Sequence, residues 1–112
     1  MAKLARGRWG EGEVARWYVH HGYVVVARNW RCEHGELDLV VRLGGTIVFC
    51  EVKTRASDAY GGGAAAVGWA KQRRLRRLGA AWLASTGVHG VDVRFDVAAV
   101  TGQLIEVIEA AF

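Results

Sequence analysis

Residues 35–54 read GELDLVVRLGGTIVFCEVKT, and this stretch decides the architecture. From Glu36 to Leu43, Leu37, Leu39 and Val41 alternate with Glu36, Asp38 and Val40, the two-residue period of a β-strand. Gly44-Gly45 is a two-residue hairpin turn signal. Thr46 to Thr54 forms the returning strand, with Ile47, Phe49 and Glu51 on one face and Val48, Cys50 and Val52 on the other. A two-residue loop pairs Leu43 with Thr46. Counting back along the hairpin sets Asp38 opposite Glu51, and Glu36 opposite Lys53. A slip of one residue would turn every side chain to the other face, so this register carries the reading of the site.

Upstream, Val14, Trp17, Tyr18 and His21 fall on one face of a helix predicted from Trp9 to His21, with Gly22 placed to end it. Residues 1–8 read as a flexible basic arm. Tyr23 to Arg28 reads as a strand, and Asn29–His34 either continues it or is irregular. Downstream, Arg55 to Ala66 holds Asp58, Tyr60 and three consecutive glycines and reads as a flexible loop. Val67 to Ser85 is a second helix whose core face is Leu75, Leu78 and Trp82. Val91 to Val100 and Leu104 to Ile108 read as a fourth and a fifth strand. The helix between the third and fourth strands is long enough for a crossover, which permits parallel pairing there. The expectation is an α/β or α+β domain: a mixed sheet flanked by helices, in the order α-β-β-β-α-β(-β).

The 112 residues suit one domain spanning 1–112. The apolar runs are too short to cross a bilayer, and Met1 to Gly12 lacks the apolar stretch of a secretory signal, so a soluble cytoplasmic protein is expected. Cys32 and Cys50 lack CxxC spacing, and neither a disulfide framework nor a zinc site is expected. The net charge of +4 favours anionic partners, nucleic acid first. The chain has only three lysines, Lys3, Lys53 and Lys71, against many arginines, which makes each lysine more informative.

The hairpin register has a chemical consequence. Glu51 and Lys53 project from one strand face about 7 Å apart. Two carboxylates opposed within a sheet repel unless a cation lies between them. Asp38 and Glu51 can hold a hard cation such as Mg²⁺ or Mn²⁺ through oxygen, with the backbone carbonyl of Val52 as a further ligand. Such a metal lowers the pKa of bound water, and a neighbouring lysine can orient that water or stabilise transition-state charge. That is the equipment of phosphodiester hydrolysis. The competing reading is a surface salt bridge among Glu36, Glu51 and Lys53.

Several segments in order carry a resemblance: Gly10-Glu11, Tyr18, Gly22-Tyr23, Arg28–Arg31, Gly35–Val40, Val48–Arg55, Lys71-Gln72 and Arg94–Val97. Across roughly residues 7–100 the chain resembles the YraN family of bacterial predicted endonucleases, of the restriction-endonuclease-like superfamily, and is similar to archaeal Holliday junction resolvases. One departure is Cys50, where a valine is usual. The resemblance implies metal-ligand roles for Asp38 and Glu51 and a catalytic role for Lys53. It also implies an acidic contribution from the first helix, best matched by Glu11, and a polar helix residue, Gln72. Glu13 is the rival of Glu11, and either fits an ordinary first-turn carboxylate. Glu36 reads as a supporting acid or a Lys53 partner.

Lys71, Arg73, Arg74, Arg76 and Arg77 crowd the second helix. Such a run is usually a solvated face, but its place after the site makes Lys71 and Arg73, with Gln72 and Arg55, candidate substrate contacts. Trp9, Trp30 and Trp69 are base-stacking candidates, whereas Trp17 and Trp82 belong with the core. The histidines have no metal-site spacing. The sequence thus points to a Mg²⁺- or Mn²⁺-dependent endonuclease acting on DNA, with branched DNA among the candidate substrates and a homodimer plausible by analogy. The alternative is a non-catalytic nucleic-acid-binding or adaptor module on the same fold.

Overall fold

The computed structural model describes residues 3–55 and 67–112. The expected loop containing Asp58, Tyr60 and the three glycines falls largely outside them. The elements are α1 (Lys3–His20), β1 (Val24–Cys32), β2 (Gly35–Leu43), β3 (Thr46–Arg55), α2 (Trp69–Thr86), β4 (Asp92–Thr101) and β5 (Leu104–Ile108). This is the α-β-β-β-α-β-β order expected. The five strands form one mixed sheet in the order β1-β2-β3-β4-β5. All neighbours are antiparallel except β3 and β4, which run parallel because α2 supplies the crossover between them.

Each helix covers one face. Val14, Ala15 and Tyr18 of α1 pack on Leu39, Val41, Val48, Cys50, Ala98 and Val100. Leu75, Leu78 and Trp82 of α2 pack on Val40, Ile47, Phe49, Phe95, Val97 and Ala99. The central strand β3 is therefore buried on both sides from Ile47 to Glu51, which explains its nearly unbroken apolar run. Gly79 has the same origin: a Cβ there would lie 3.0 Å from the Phe49 ring, so a glycine lets α2 settle onto the aromatic pair Phe49–Phe95.

Two boundaries differ from the sequence reading. Helix α1 begins at Lys3, so most of the stretch read as an arm, 1–8, is helical. Gly7, Gly10 and Gly12 lower helix propensity and hide that start, but packing on the sheet outweighs propensity. Strand β1 continues through Asn29–Cys32, and Tyr23, expected to open it, precedes it. No described helix is long and apolar enough to cross a membrane.

A buried acid helps tie α1 to the sheet. Asp96 is fully buried on the α1 face, accepting from Tyr18 Oη at 2.6 Å, from Arg94 Nε and Nη2 at 2.9 Å each, and from the Ala110 backbone N–H at 3.0 Å. Burial and this carboxylate together raise the Tyr18 phenol far above its ordinary pKa. Both oxygens of the acid are satisfied, which is the condition for keeping a charge in a core.

Candidate metal centre

The β2–β3 ladder runs in the register that the Gly-Gly turn predicts, from Leu43–Thr46 to Leu39–Cys50. There it ends. One step on, Asp38 Oδ2 accepts the Val52 backbone N–H at 2.9 Å, so a side chain enters between the two strands. The alternation of β2 breaks at the same place: Leu37 packs on the α2 side, whereas Leu39 packs on the α1 side. Asn29 of β1 lies between the rungs Arg28–Leu39 and Trp30–Leu37, with φ 51°, a left-handed conformation that asparagine tolerates better than most residues.

Asp38 also hydrogen-bonds the carboxyl of Glu51. Burial first, then this hydrogen bond and the charge of Glu51, push the Asp38 carboxyl up to about 8, against the opposing Val52 N–H. The two acids that hairpin counting set opposite each other lie one step beyond the last rung of the ladder and act on each other there.

Helix α1 brings a third acid. Gly10 lies against β3 so closely that a Cβ would fall 2.0 Å from Thr54 Oγ1. The glycine allows the helix to approach, and Glu11 follows it into the fork. Single oxygens of Glu11, Glu36 and Asp38 lie within 4.8 Å of one another, a spacing that could hold a metal ion. The Asn29 amide, oriented with its nitrogen towards the acids, donates to Glu11 Oε1 and Glu36 Oε1 at 2.9 Å each. Burial leads the causes that raise the Glu11 carboxyl, with Glu36 and Glu51 adding to it and Asn29 and Arg8 opposing. The rival Glu13 instead pairs with Arg16 one turn along the helix. The second oxygen of Glu36 takes Arg31 Nε at 2.8 Å.

The cations lie beyond Glu51. Glu51 is buried and ion-paired with Lys71 of α2. Lys53 shares its strand face, and its ammonium pKa is lowered, first by burial and then by Lys71 and Arg55, with Glu51 opposing. The remaining helix candidates separate. Gln72 turns its amide back to donate to the Val67 carbonyl at 2.9 Å. Arg73 lies over the Trp69 ring, 5.8 Å from its centroid. Arg76 lies over Phe95 and Phe112. Of the stacking candidates, Trp69 is 72% exposed and Trp9 38%, while Trp30 packs against the α2-side core.

The model of the uncharacterised protein family UPF0102 matches residues 10–100. The chain belongs to this family, the YraN family. UPF0102 proteins of Beutenbergia cavernae and Frankia casuarinae are 54% identical over 99 residues and 52% identical over 96. Those alignments cover 88% and 86% of this chain, and 84% and 81% of the relatives. A UPF0102 protein of Streptomyces griseus is 51% identical over 82 residues, 73% of this chain and 69% of its own. Glu11, Asn29, Glu36, Asp38, Glu51, Lys53 and Lys71 all lie within the span matched by the UPF0102 model.

The side chains of this UPF0102 chain that could hold a metal offer only oxygen: carboxylates of Glu11, Glu36 and Asp38, with Glu51 beside Asp38. In an antiparallel pair, the N–H and C=O of one residue point to the same side of the strand. The Val52 carbonyl therefore faces the fork that its N–H faces. Hard oxygen donors without sulfur or imidazole suit Mg²⁺ or Mn²⁺ and not zinc. Crowded acids whose protons are held too tightly also fit a cation that would replace those protons. Sequence reasoning undervalued Glu36 and missed Asn29. The only local signal was an asparagine inside a strand, a residue depleted there.

Proposed function

We propose that this UPF0102 protein is a Mg²⁺- or Mn²⁺-dependent nuclease that hydrolyses phosphodiester bonds of DNA. The observation that carries the reading is the contact between Asp38 and Glu51 where the β2–β3 ladder ends, with acids on one side and lysines on the other. Glu11, Glu36 and Asp38 hold the metal, with Glu51 and the Val52 carbonyl at its edge. A metal so held polarises a phosphoryl oxygen and lowers the pKa of a bound water.

The chain's own groups do the rest. Asn29 fixes the rotamers of Glu11 and Glu36, and the Val52 N–H fixes Asp38. Lys53, on the strand face of Glu51, meets a phosphate oxygen or the attacking water with its ammonium. Its lowered pKa makes it a better proton donor to a leaving oxygen than an ordinary lysine. Lys71 and Arg55 give the same edge a positive field for the incoming backbone.

The test is cleavage of branched, flapped and linear DNA by purified protein with Mn²⁺, alongside Lys53→Ala. Metal-dependent cleavage by the wild type, and cleavage about 10²–10³-fold slower by the variant, is the expected result. Equal cleavage by both rejects the mechanism.

One observation favours the adaptor reading: Glu51 is ion-paired with Lys71, a structural role for this acid. Calorimetry separates the two. Mn²⁺ binding that Asp38→Asn removes supports the nuclease, and no Mn²⁺ binding supports the adaptor.

A further inference from the structure

Helix α2 has five cationic side chains and no acidic one from Trp69 to Thr86. Two of the five are engaged elsewhere: Lys71 with Glu51, and Arg76 with the rings of Phe95 and Phe112. The other three, Arg73, Arg74 and Arg77, line an open groove of about 450 Å³ between α2 and the β1–β2 turn, closed by Ala70, Glu33 and His34. Three guanidiniums face one carboxylate there. Among the described residues, none of the three forms an ion pair.

The groove is built into the fold. The stem of Arg74 rests beside Gly35 at the β1–β2 turn, where a Cβ would lie 3.9 Å from Arg74 Cδ. Trp69, the residue before Ala70 of the lining, has 72% of its surface exposed and the Arg73 guanidinium, also of the lining, over its ring. Lys71 links the groove to the acids: it lies on the same helix, about 9 Å along the axis from Arg77 at about 1.5 Å per residue.

We propose that this groove binds an unpaired DNA strand, with Arg73, Arg74 and Arg77 on its phosphates and Trp69 stacked on a base. This rests on the nuclease reading and names its substrate class, DNA carrying a single-stranded segment. Three guanidiniums on one helix face supply the phosphate contacts. The exposed indole selects the unpaired strand, since a base within a duplex is already stacked on its neighbours. A strand seated here leads along α2 to Lys71, and so to Glu51 and Lys53.

Binding is measured without metal, in chelator, so that cleavage plays no part. Fluorescence anisotropy compares a labelled oligo-dT strand with a duplex of equal length. Trp69→Ala weakens strand binding about 5- to 150-fold, the range for one stacked base, and leaves duplex binding within about twofold. Arg74→Ala with Arg77→Ala reduces the salt slope for the strand by about 1.4, at about 0.7 for each phosphate that is no longer neutralised. Arg77→Ala alone, free of the Gly35 contact, lowers it by about 0.7.

Unchanged strand affinity in Trp69→Ala, or equal losses for strand and duplex, overturns the assignment of an unpaired strand. An unchanged salt slope in both arginine variants overturns the groove. The nuclease reading is judged separately by Mn²⁺ cleavage: cleavage with an inert groove refutes this proposal alone, and groove binding without cleavage refutes only the nuclease.

Discussion

Asp38 Oδ2 accepts the Val52 N–H at 2.9 Å, so a carboxylate stands where the next rung between β2 and β3 would be. This bond makes two substitutions at Asp38 separable. Asp38→Ala leaves the Val52 N–H without its acceptor and costs about 1–3 kcal/mol. Asp38→Asn keeps an acceptor oxygen and removes the cost of protonating a crowded carboxyl on folding, so metal-free stability at neutral pH is unchanged or higher. Groups that merely support a ligand are worth about 10- to 100-fold in metal affinity, and both variants should lose at least that for Mn²⁺. Urea melts and calorimetry check the pair. Wild-type Mn²⁺ affinity in Asp38→Asn would remove Asp38 from the ligand set.

The raised Asp38 carboxyl gives a pH dependence with a definite sign. Its ordinary value is 3.8 and its folded value is about 8, so the folded state holds the proton more tightly between them. Stability from this group is full below the ordinary value and is lost as pH rises through about 8. Mn²⁺ competes with that proton, so its affinity rises over the same interval. Melts at about pH 6 and about pH 8, each with and without Mn²⁺, measure both trends. A metal-free protein more stable at the higher pH, with this slope also absent from Asp38→Asn, would refute the assignment.

The part of this centre that was legible in the sequence is the part that local rules determine. Gly44-Gly45 determines the hairpin, the hairpin determines the register, and the register brings Asp38 to Glu51. The break of alternation between Leu37 and Leu39 was not legible. It coincides with a left-handed Asn29 on a neighbouring strand, which no period within β2 announces. The place of Glu36 beside Glu11 depends on that same asparagine. The pairing of Lys71 with Glu51 depends on the crossover geometry of α2, which hairpin counting does not reach. Asp96 was equally hidden: an acid within Phe95–Val100 reads as an outward strand position until Tyr18 and Arg94 are seen to enclose it.

Lys53 and Lys71 should fail differently. Lys53→Ala removes the ammonium nearest the reacting phosphate and leaves the acids in place, so cleavage falls by about 10²–10³ while Mn²⁺ affinity is kept. Lys71→Ala removes the partner of Glu51 and one cation beside Lys53. The Lys53 pKa should rise, since Lys71 is one of the groups that depress it. The Mn²⁺ affinity should rise too, because Glu51 loses a competing cation. Kinetics at saturating Mn²⁺, with titration of the metal, tell the two apart. Identical profiles would show that the lysines have no separate roles.

Asp96 should be a stability residue with no part in metal binding. Asp96→Asn leaves Arg94 facing Tyr23, a neutral amide and the half-exposed Glu109 at 3.5 Å. Breaking one partner of a buried ion pair costs about 3–5 kcal/mol, and Glu109 offsets part of that. The Arg94 pKa, held up chiefly by Asp96, should fall back towards its ordinary value. A stabilised background or low temperature keeps the variant folded, and Mn²⁺ affinity measured there should match the wild type. A variant that melts like the wild type would show that the network contributes little.

Gly10 tests whether helix position sets the site. A Cβ at Gly10 would meet Thr54 Oγ1 at 2.0 Å, which forces α1 or the Thr54 side chain to move. Overpacking of this kind costs about 1–3 kcal/mol. Alanine has the higher helix propensity, by about 1 kcal/mol, so a loss of stability must come from the contact and not from the helix. Because Glu11 is the next residue, the displacement should also lower Mn²⁺ affinity. Thr54→Ala removes the clashing hydroxyl, which is buried and unpartnered among the described residues, and so costs little alone. Combined with Gly10→Ala it should recover much of the stability and metal affinity, short of all because the Cβ at position 54 stays 3.1 Å away, and give a favourable coupling in a double-mutant cycle. Additive losses would show that Gly10 is required for some reason other than the approach of α1 to β3.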